Sequence, residues 1–188
     1  MNHIVIIGFM GSGKTRVGKR LAQEMGLPFV DVDKAITKKM KMTVKEIFQK
    51  FGEPFYRALE TLEIRNLAED SEKKVISLGA GLPLQEQNAK IIPELGTVVY
   101  IKGSAETLLG RLGESNNPFL EGDNQEEKVR KMLKQRDPVY QKFADIIVET
   151  GVMPFEDFVQ SIMEKINEYE SSQSQKSAGQ NSDSEKNS

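Results

Sequence analysis

The sequence predicts a three-layer α/β/α fold, in which helices cover both faces of a five-stranded parallel sheet. Five short apolar runs are typical of buried strands: residues 3–8, 27–33, 74–81, 96–102 and 144–150. Segments with helical spacing of apolar residues separate these runs. Strands that alternate with helices form parallel sheets, so both observations favour the same fold class.

The elements follow in order along the chain. The first run, HIVIIG, is apolar throughout, which indicates a strand buried on both faces, and a helix follows until Gly26 ends it. The stretch from Asp33 to about Ala68 is predicted to be helical, with breaks near residues 42–43 and at FGEP. A later helix is expected to begin near Asn124 or Gln125 and to end at Pro138, before a closing helix over residues 154–169.

Length and composition bound the organisation and the class of protein. Of the 188 residues, 1–170 are predicted to form one domain, and residues 171–188, with a single apolar side chain, a disordered tail. A net charge of −2 argues against a nucleic-acid partner, and no apolar run is long enough for a membrane span. No leader is recognised either, and a cytoplasmic setting is expected. The absence of cysteine excludes thiolate metal sites and a cysteine nucleophile.

A phosphate-binding loop is the most specific motif. Gly8, Gly13, Lys14 and Thr15 fill the pattern G-x-x-x-x-G-K-[ST] between a predicted strand and a predicted helix. Glycines allow the backbone amides to converge on phosphate oxygens, and the helix N-terminus adds partial positive charge. We expect Lys14 to reach the terminal phosphates of a nucleotide and the Thr15 hydroxyl to ligate Mg²⁺. The motif leaves open whether the phosphoryl group passes to water or to a hydroxyl acceptor.

Two acids follow the second predicted strand. Asp31 and Asp33 in DVD lie two residues apart, so on a strand they would share a face at the carboxyl edge of the sheet, where ligands collect. One acid would support Mg²⁺ while the other meets an acceptor hydroxyl. Asp33 as a helix N-cap is the alternative interpretation.

Two arginines and a glycine-rich loop are candidates for the acceptor site. Arg57 and Arg136 could form a paired clamp for a carboxylate, although each alone is equally well explained as a surface charge. The loop over residues 79–81, GAG, offers backbone amides that a small polar ligand can approach closely, or it is simply a tight connection.

A long polar loop lies between the fourth and fifth predicted strands. Residues 113–127 are rich in Gly, Asn and acids, and a loop of this length in a small domain is typical of a lid. We place a mobile lid at about residues 112–124.

Together, these motifs resemble the shikimate kinase family. GFMGSGKTRVGKRLA, PFVDVDKAI, IFQKFGEPFYRALE, VISLGAG, TVVYIK and KQRDPVYQKFAD occur in the family's order, and the resemblance covers Asn2 to about Tyr169. It implies a P-loop NTPase fold of the nucleoside-monophosphate-kinase type. It also implies Mg²⁺- and ATP-dependent phosphorylation of the 3-hydroxyl of shikimate, in aromatic amino-acid biosynthesis, by a monomer.

The resemblance implies roles for individual residues. Lys14, Asp31 and Asp33 would be catalytic, with Thr15 and Asp31 supporting Mg²⁺ and Asp33 meeting the acceptor hydroxyls. The shikimate carboxylate would be held by Arg57 and Arg136, in a pocket lined by Gly79, Ala80 and Gly81. ATP would contact Gly8, Gly11, Ser12, Gly13, Lys14, Thr15, Arg16, Arg111 and Asn117.

Two positions depart from the family pattern. Ala80 stands where the family has the middle of three glycines, which predicts a small change in the pocket. Asn117 stands where the family lid has an arginine, and asparagine cannot neutralise phosphate charge. Two alternatives therefore remain: an ATP-binding protein with another small carboxylated acceptor, or a low-activity or regulatory homologue. Arg111 or Arg130 could compensate for Asn117.

Overall fold

The computed structural model describes the backbone of residues 2–112 and 124–184, and side chains in these ranges as far as residue 176. One parallel sheet has the spatial order β2-β3-β1-β4-β5. Its strands are β1 (His3–Gly8), β2 (Phe29–Asp31), β3 (Val75–Ser77), β4 (Gly96–Lys102) and β5 (Ile146–Glu149). The five predicted strands are confirmed.

Eight helices surround this sheet in the described residues. They are α1 (Lys14–Met25), α2 (Val32–Met40), α3 (Val44–Phe51), α4 (Glu53–Ala68), α5 (Ile91–Leu95), α6 (Ala105–Leu112), α7 (Gln125–Phe143) and α8 (Phe155–Ser184). Two short 3-10 turns, Leu82–Leu84 and Glu86–Asn88, follow β3. No helix in the described ranges is long and apolar enough to cross a membrane.

The sheet separates two hydrophobic clusters. On one face, Val5 and Ile7 of β1 pack with helical residues that include Ile36, Ile47, Ile64, Ile92, Val129 and Tyr140. On the other face, Ile4 and Ile6 pack with Val17 and Leu21 of α1 and with Phe158, Ile162 and Ile166 of α8. Because alternate residues of β1 feed opposite clusters, the strand is buried on both faces, which confirms the three-layer prediction.

The predicted breaks between α2, α3 and α4 have visible causes. Lys41 ends α2 in the left-handed conformation, at φ 53°. Thr43 and Glu46 form a capping box that starts α3, in which the Thr43 hydroxyl accepts from Glu46 N at 3.2 Å. Gly52, at φ 83°, separates α3 from α4, a backbone geometry that L side chains rarely adopt. The three arm helices, α2, α3 and α4, follow directly on the carboxyl end of β2, and α4 packs against both α2 and α3.

The predicted end of α7 at Pro138 is wrong. The helix continues through Pro138 to Phe143. A proline inside a helix removes one backbone hydrogen bond. The following turn is held in place because Tyr140 is fully buried, and its hydroxyl donates to Ala80 O at 2.7 Å. Arg136 therefore projects from the interior of a helix and not from its C-terminus.

Helix α8 extends further than expected. Its last anchored turn includes Glu170, whose Oε1 lies 2.8 Å from Lys73 Nζ. Residues 171–184, predicted from the sequence to belong to a disordered tail, continue the same helix, and the side chains of 171–176 are exposed. Gln, Lys and Ala in this stretch have good helix propensity, which lets an unpacked helix extend from a packed one. The boundary between domain and tail stays a prediction.

Candidate active site

The loop after β1 has the geometry of a phosphate cradle. Gly11 and Gly13 adopt φ values of 78° and 93°, and Gly13 is the N-cap of α1. Helix α1 has no acidic residue in its first turn, so the partial positive charge of its N-terminus is not offset there. An anion at this end of the helix would be stabilised by backbone amides and by the helix dipole.

Two arginines predicted to contact ATP are placed differently around this loop. Arg111, on α6, donates from Nη1 to Ser12 O at 3.2 Å, which brings a guanidinium beside the cradle. Arg16, in the first turn of α1, places its guanidinium 4.0 Å from the ring centroid of Phe155. The structure thus brings Arg111 to the loop, while the Arg16 side chain packs against α8.

Lys14 lies across the cradle. Its Nζ donates to Phe9 O at 2.9 Å, and it lines the same cavity as Asp33 and Arg136. Burial lowers the pKa of Lys14 to about 8, an effect that the nearby Asp33 and Asp31 oppose and Arg136 reinforces. A bound phosphate would favour the charged form, because it adds the negative charge that a buried ammonium lacks.

Thr15 and Asp31 meet as the sequence predicts, but the two acids are arranged differently. The Thr15 hydroxyl donates to Asp31 Oδ2 at 2.6 Å. Asp31 ends β2 and is the N-cap of α2, since Oδ1 accepts from Lys34 N at 3.1 Å. Asp33 lies in the first turn of α2, so the expectation that both acids share a strand face, and that Asp33 is the cap, is wrong.

The donor set suits Mg²⁺. A hydroxyl from Thr15 and a carboxylate from Asp31 are the oxygen ligands that this hard cation prefers, and Mg²⁺ usually completes its shell with water and substrate phosphates. Among the described residues, no group of three or more His, Cys, Asp or Glu side chains could hold a metal ion, so the donors at this site are one hydroxyl and one carboxylate.

One cavity of about 370 Å³ collects the predicted acceptor-site residues. It lies at the carboxyl edge of β1, β2 and β3, where the loops that follow these strands meet. Its lining includes Lys14, Thr15, Asp31, Asp33, Tyr56, Arg57, Glu60, Gly79, Ala80, Gly81 and Arg136. Residues from five separate segments of the chain therefore face one space next to the phosphate cradle.

The two arginines of this cavity differ in their charge environment. Arg57, on α4, lies 2.8 Å from Glu60 Oε2 and 2.8 Å from Glu53 Oε1. Arg136 forms no ion pair with any of the described residues, and its guanidinium lies 5.6 Å from the Phe9 ring centroid. Arg136 thus offers an uncompensated positive charge, while the charge of Arg57 is balanced by acids of its own helix.

The loop after β3 is shaped by close approach. A Cβ atom on Gly79 would lie 2.7 Å from both Asp33 Oδ1 and Glu60 Oε1. A Cβ atom on Gly81 would lie 2.5 Å from Arg57 Nη1. Only the middle position carries a side chain, Ala80, and its carbonyl is the acceptor for Tyr140. The family pattern of three glycines is therefore broken at Ala80, where the structure has room for a side chain.

Tyr56 and Glu60 are site residues that were not predicted. Tyr56 OH donates to Asp33 Oδ1 at 2.5 Å, and Glu60 is 1% exposed beside Arg57. Burial raises the pKa of Asp33, although the hydrogen bond from Tyr56 lowers it. Burial also raises the pKa of Glu60 to about 7, although the Arg57 guanidinium lowers it. The spacing of Glu60 three residues after Arg57 on a predicted helix was the available signal. Tyr56 gave none, because its partner lies on another helix.

The arrangement can support phosphoryl transfer to a carboxylated alcohol. A nucleotide phosphate cradle, an acid and an uncompensated guanidinium face one cavity. The predicted lid at about residues 112–124 and Asn117 within it lie outside the described residues, except for positions 112 and 124 at its ends. The segment predicted to close over the phosphates therefore does not contribute to the site described above.

Comparison with known proteins points in the same direction. A family model described as shikimate kinase matches residues 10–167. A shikimate kinase of Thermodesulfovibrio yellowstonii is 39% identical over 171 residues, covering 90% of this chain and 96% of the relative. The shikimate kinase of Acinetobacter baumannii, solved in complex with shikimate, is 35% identical, with a TM-score of 0.82, covering 89% of this chain and 94% of the other. That of Aquifex aeolicus is 34% identical, with a TM-score of 0.76 and coverage of 88% and 96%.

Proposed function

The chain belongs to the shikimate kinase family, and from this we propose that it transfers the γ-phosphoryl group of ATP to the 3-hydroxyl of shikimate. The observation that carries this proposal is that Lys14, Asp33 and Arg136 all line one cavity. Within the described structure Arg136 has no acid partner, and it lines the same cavity as Asp33 and the loop after β3. A carboxylated acceptor would supply that partner.

In the proposed reaction, the loop amides and Lys14 bind the β- and γ-phosphates, and Arg136 with Arg57 holds the shikimate carboxylate. The acceptor oxygen attacks the γ-phosphorus, the bond from this phosphorus to the bridging oxygen breaks, and ADP leaves. The hydroxyl proton passes to Asp33, whose raised pKa suits a proton acceptor. Because the transition state is loose, positioning and charge neutralisation account for most of the rate enhancement.

Mg²⁺ is proposed as the cofactor. Thr15 and Asp31 would hold it, and when bound it neutralises phosphate charge. The proposal rests on the chemistry of these two oxygen donors. We further propose that the protein acts as a monomer in the cytoplasm, which light scattering of the purified protein and cell fractionation would test.

The first experiment measures ADP release by the purified full chain with Mg²⁺ and ATP, with and without shikimate. We expect shikimate-dependent turnover that Lys14→Ala abolishes and that Arg136→Ala strongly reduces at low shikimate concentration. Turnover without shikimate, unchanged by its addition, would contradict the proposal and favour hydrolysis.

A second experiment uses Asn117→Arg, which restores the arginine of the family lid. If the wild-type chain is inactive and Asn117→Arg restores shikimate-dependent turnover, the acceptor site is intact and the protein is the low-activity homologue. If ATP binds but neither chain turns over with shikimate, a panel of other small hydroxy acids identifies a different carboxylated acceptor. Arg130→Gln tests whether Arg130 compensates for Asn117; because Arg130 pairs with Glu106 and Glu126 on the surface, we expect this variant to keep the turnover of the wild type.

A further inference from the structure

The hydroxyl of Tyr56 connects the two helices that flank the acceptor cavity. It donates to Asp33 Oδ1 at 2.5 Å, so a residue of α4 holds the carboxylate of a residue of α2. Tyr56 is 2% exposed, and its ring meets Phe48 edge to face at a centroid distance of 5.0 Å. The tyrosine is therefore fixed by packing, independently of any ligand.

The contact leaves the two oxygens of Asp33 in different surroundings. Oδ1 is bonded to Tyr56, and it faces Gly79 so closely that a Cβ atom there would lie 2.7 Å away. Within the described part of the chain, Oδ2 receives no hydrogen bond. One oxygen is thus engaged by the protein, while the other remains for a ligand hydroxyl in the cavity.

We propose that Tyr56 is a positioning residue: its hydroxyl holds Oδ1 of Asp33 so that Oδ2 is presented to the acceptor hydroxyl. This inference rests on the proposed function, since it gives Tyr56 a role in that same transfer. Holding the acid in one orientation before the acceptor arrives removes a reorganisation step from the reaction.

Among the described residues, Tyr56 is the side chain that donates a hydrogen bond to the Asp33 carboxylate, which suits it to position this acid. Lys14, Asp31, Arg57 and Glu60 are the other charged groups that act on the Asp33 carboxylate. Arg57 is engaged by Glu53 and Glu60, and Lys14 Nζ donates to Phe9 O. Burial and the charge of Asp33 raise the pKa of the Tyr56 phenol, so the hydroxyl keeps its proton and acts as a donor.

The test is Tyr56→Phe, which removes one oxygen and keeps the ring against Phe48. We expect kcat with shikimate to fall about 10- to 100-fold, which is the range for one hydrogen bond to a charged group. The KM values for shikimate and ATP should stay within about twofold, because the variant leaves the arginines and the phosphate loop unchanged. Tyr169→Phe is the matched control: it loses a 2.6 Å tyrosine–aspartate hydrogen bond, to Asp145, outside the cavity.

A double-mutant cycle separates positioning from general stabilisation. In an Asp33→Ala background, Tyr56→Phe should have no further effect on the residual rate, since its partner is gone. An unchanged kcat in the single variant, an effect confined to KM, or an equal loss in both backgrounds would overturn the inference.

Crystal structures of the wild-type chain and Tyr56→Phe decide the question without turnover. We expect one orientation of the Asp33 carboxylate in the wild type, and a rotated or split carboxylate in the variant. An identical, fully ordered Asp33 in both would overturn the inference even in an active enzyme. A wild-type chain that is inactive with shikimate, yet shows this difference, would overturn only the proposed function.

Discussion

The Nη1 atom of Arg57 lies 2.8 Å from Oε2 of Glu60, one turn further along α4. Glu60 is almost completely buried, and burial raises its pKa to about 7 despite the guanidinium beside it. Arg57, which we propose binds the acceptor, is therefore paired with a carboxylate whose pKa lies near neutral pH.

This linkage predicts a pH-dependent affinity for the acceptor. An anion bound near Glu60 disfavours its ionised form and raises its pKa further, so binding takes up a proton above about pH 7. Shikimate should bind most tightly below about pH 7, where Glu60 is protonated in both states, and more weakly as the pH rises. Calorimetry in buffers of different ionisation enthalpy measures the proton uptake. Glu60→Gln should abolish it, and equal uptake in this variant would contradict the assignment.

Substitution of Gly79 should impair turnover strongly, whereas substitution of its neighbour Ala80 should not. Gly79→Ala would push a methyl group against the carboxylates of Asp33 and Glu60, so kcat/KM for shikimate should fall about 100-fold. ATP affinity should stay within about twofold, because the phosphate loop is not touched. Ala80→Gly is the control, and steady-state kinetics should find it near wild type. Similar kinetics for both variants would show that the close approach at Gly79 is unimportant.

Arg136 should matter mainly for acceptor binding. Arg136→Gln removes the guanidinium that has no acid partner among the described residues, so KM for shikimate should rise about 10- to 100-fold. Arg130→Gln, on the same helix but paired on the surface, should leave KM unchanged. An equal effect of the two substitutions would indicate a general charge effect of α7.

Asp31 should set the Mg²⁺ requirement. Asp31→Asn keeps an N-cap for α2 but loses the charge, so the Mg²⁺ concentration for half-maximal activity should rise about tenfold. Asp31→Ala should also destabilise the fold by about 1 kcal/mol, through loss of the cap. Mg²⁺ titration and thermal unfolding measure the two effects separately. An unchanged Mg²⁺ dependence in both variants would remove Asp31 from the metal site.

Substitution of His3 should lower the stability of the fold without affecting catalysis. Its ring is buried: Nδ1 accepts from Lys74 N at 3.2 Å, and Nε2 donates to Leu67 O at 2.9 Å. His3→Leu leaves Lys74 N without this partner, while Leu67 O still accepts from Asp70 N at 3.2 Å, and should cost about 2 kcal/mol, or about 6 °C in Tm. Kinetic constants at 25 °C should not change. His3→Gln, which can both donate and accept, should recover part of the loss in calorimetry.

Much of this protein was predictable from local features of the chain. The five strands are continuous apolar runs, and the phosphate loop is a contiguous motif whose glycines and lysine follow directly from the need to bind phosphate. The arm helices were predictable for the same reason, because Lys41, the Thr43 capping box and Gly52 are local breaks. Asp31 and Asp33 could be selected because they follow a strand at the expected edge of the sheet, and Arg57 and Arg136 because two arginines can together clamp a carboxylate.

One error arose where packing overrides a local rule. Pro138 is a strong stop signal, yet α7 passes through it because burial of Tyr140 holds the next turn against β4. A neighbouring segment, and not the proline itself, determines the conformation at this point. Residues 171–184 continue α8 with exposed side chains at 171–176, and the disordered tail over residues 171–188 stays a prediction.

The sheet, the phosphate loop and the residue types available for an acceptor all follow from local patterns in the sequence. Which of these residues act together became visible in the folded chain: the Tyr56 hydroxyl reaches Asp33, Glu60 balances Arg57, and Arg136 keeps a charge without an acid partner within the described structure. A motif is recognised from residues that are adjacent in the chain. Charge balance and hydrogen bonding in a cavity depend on distances between segments, which packing alone sets.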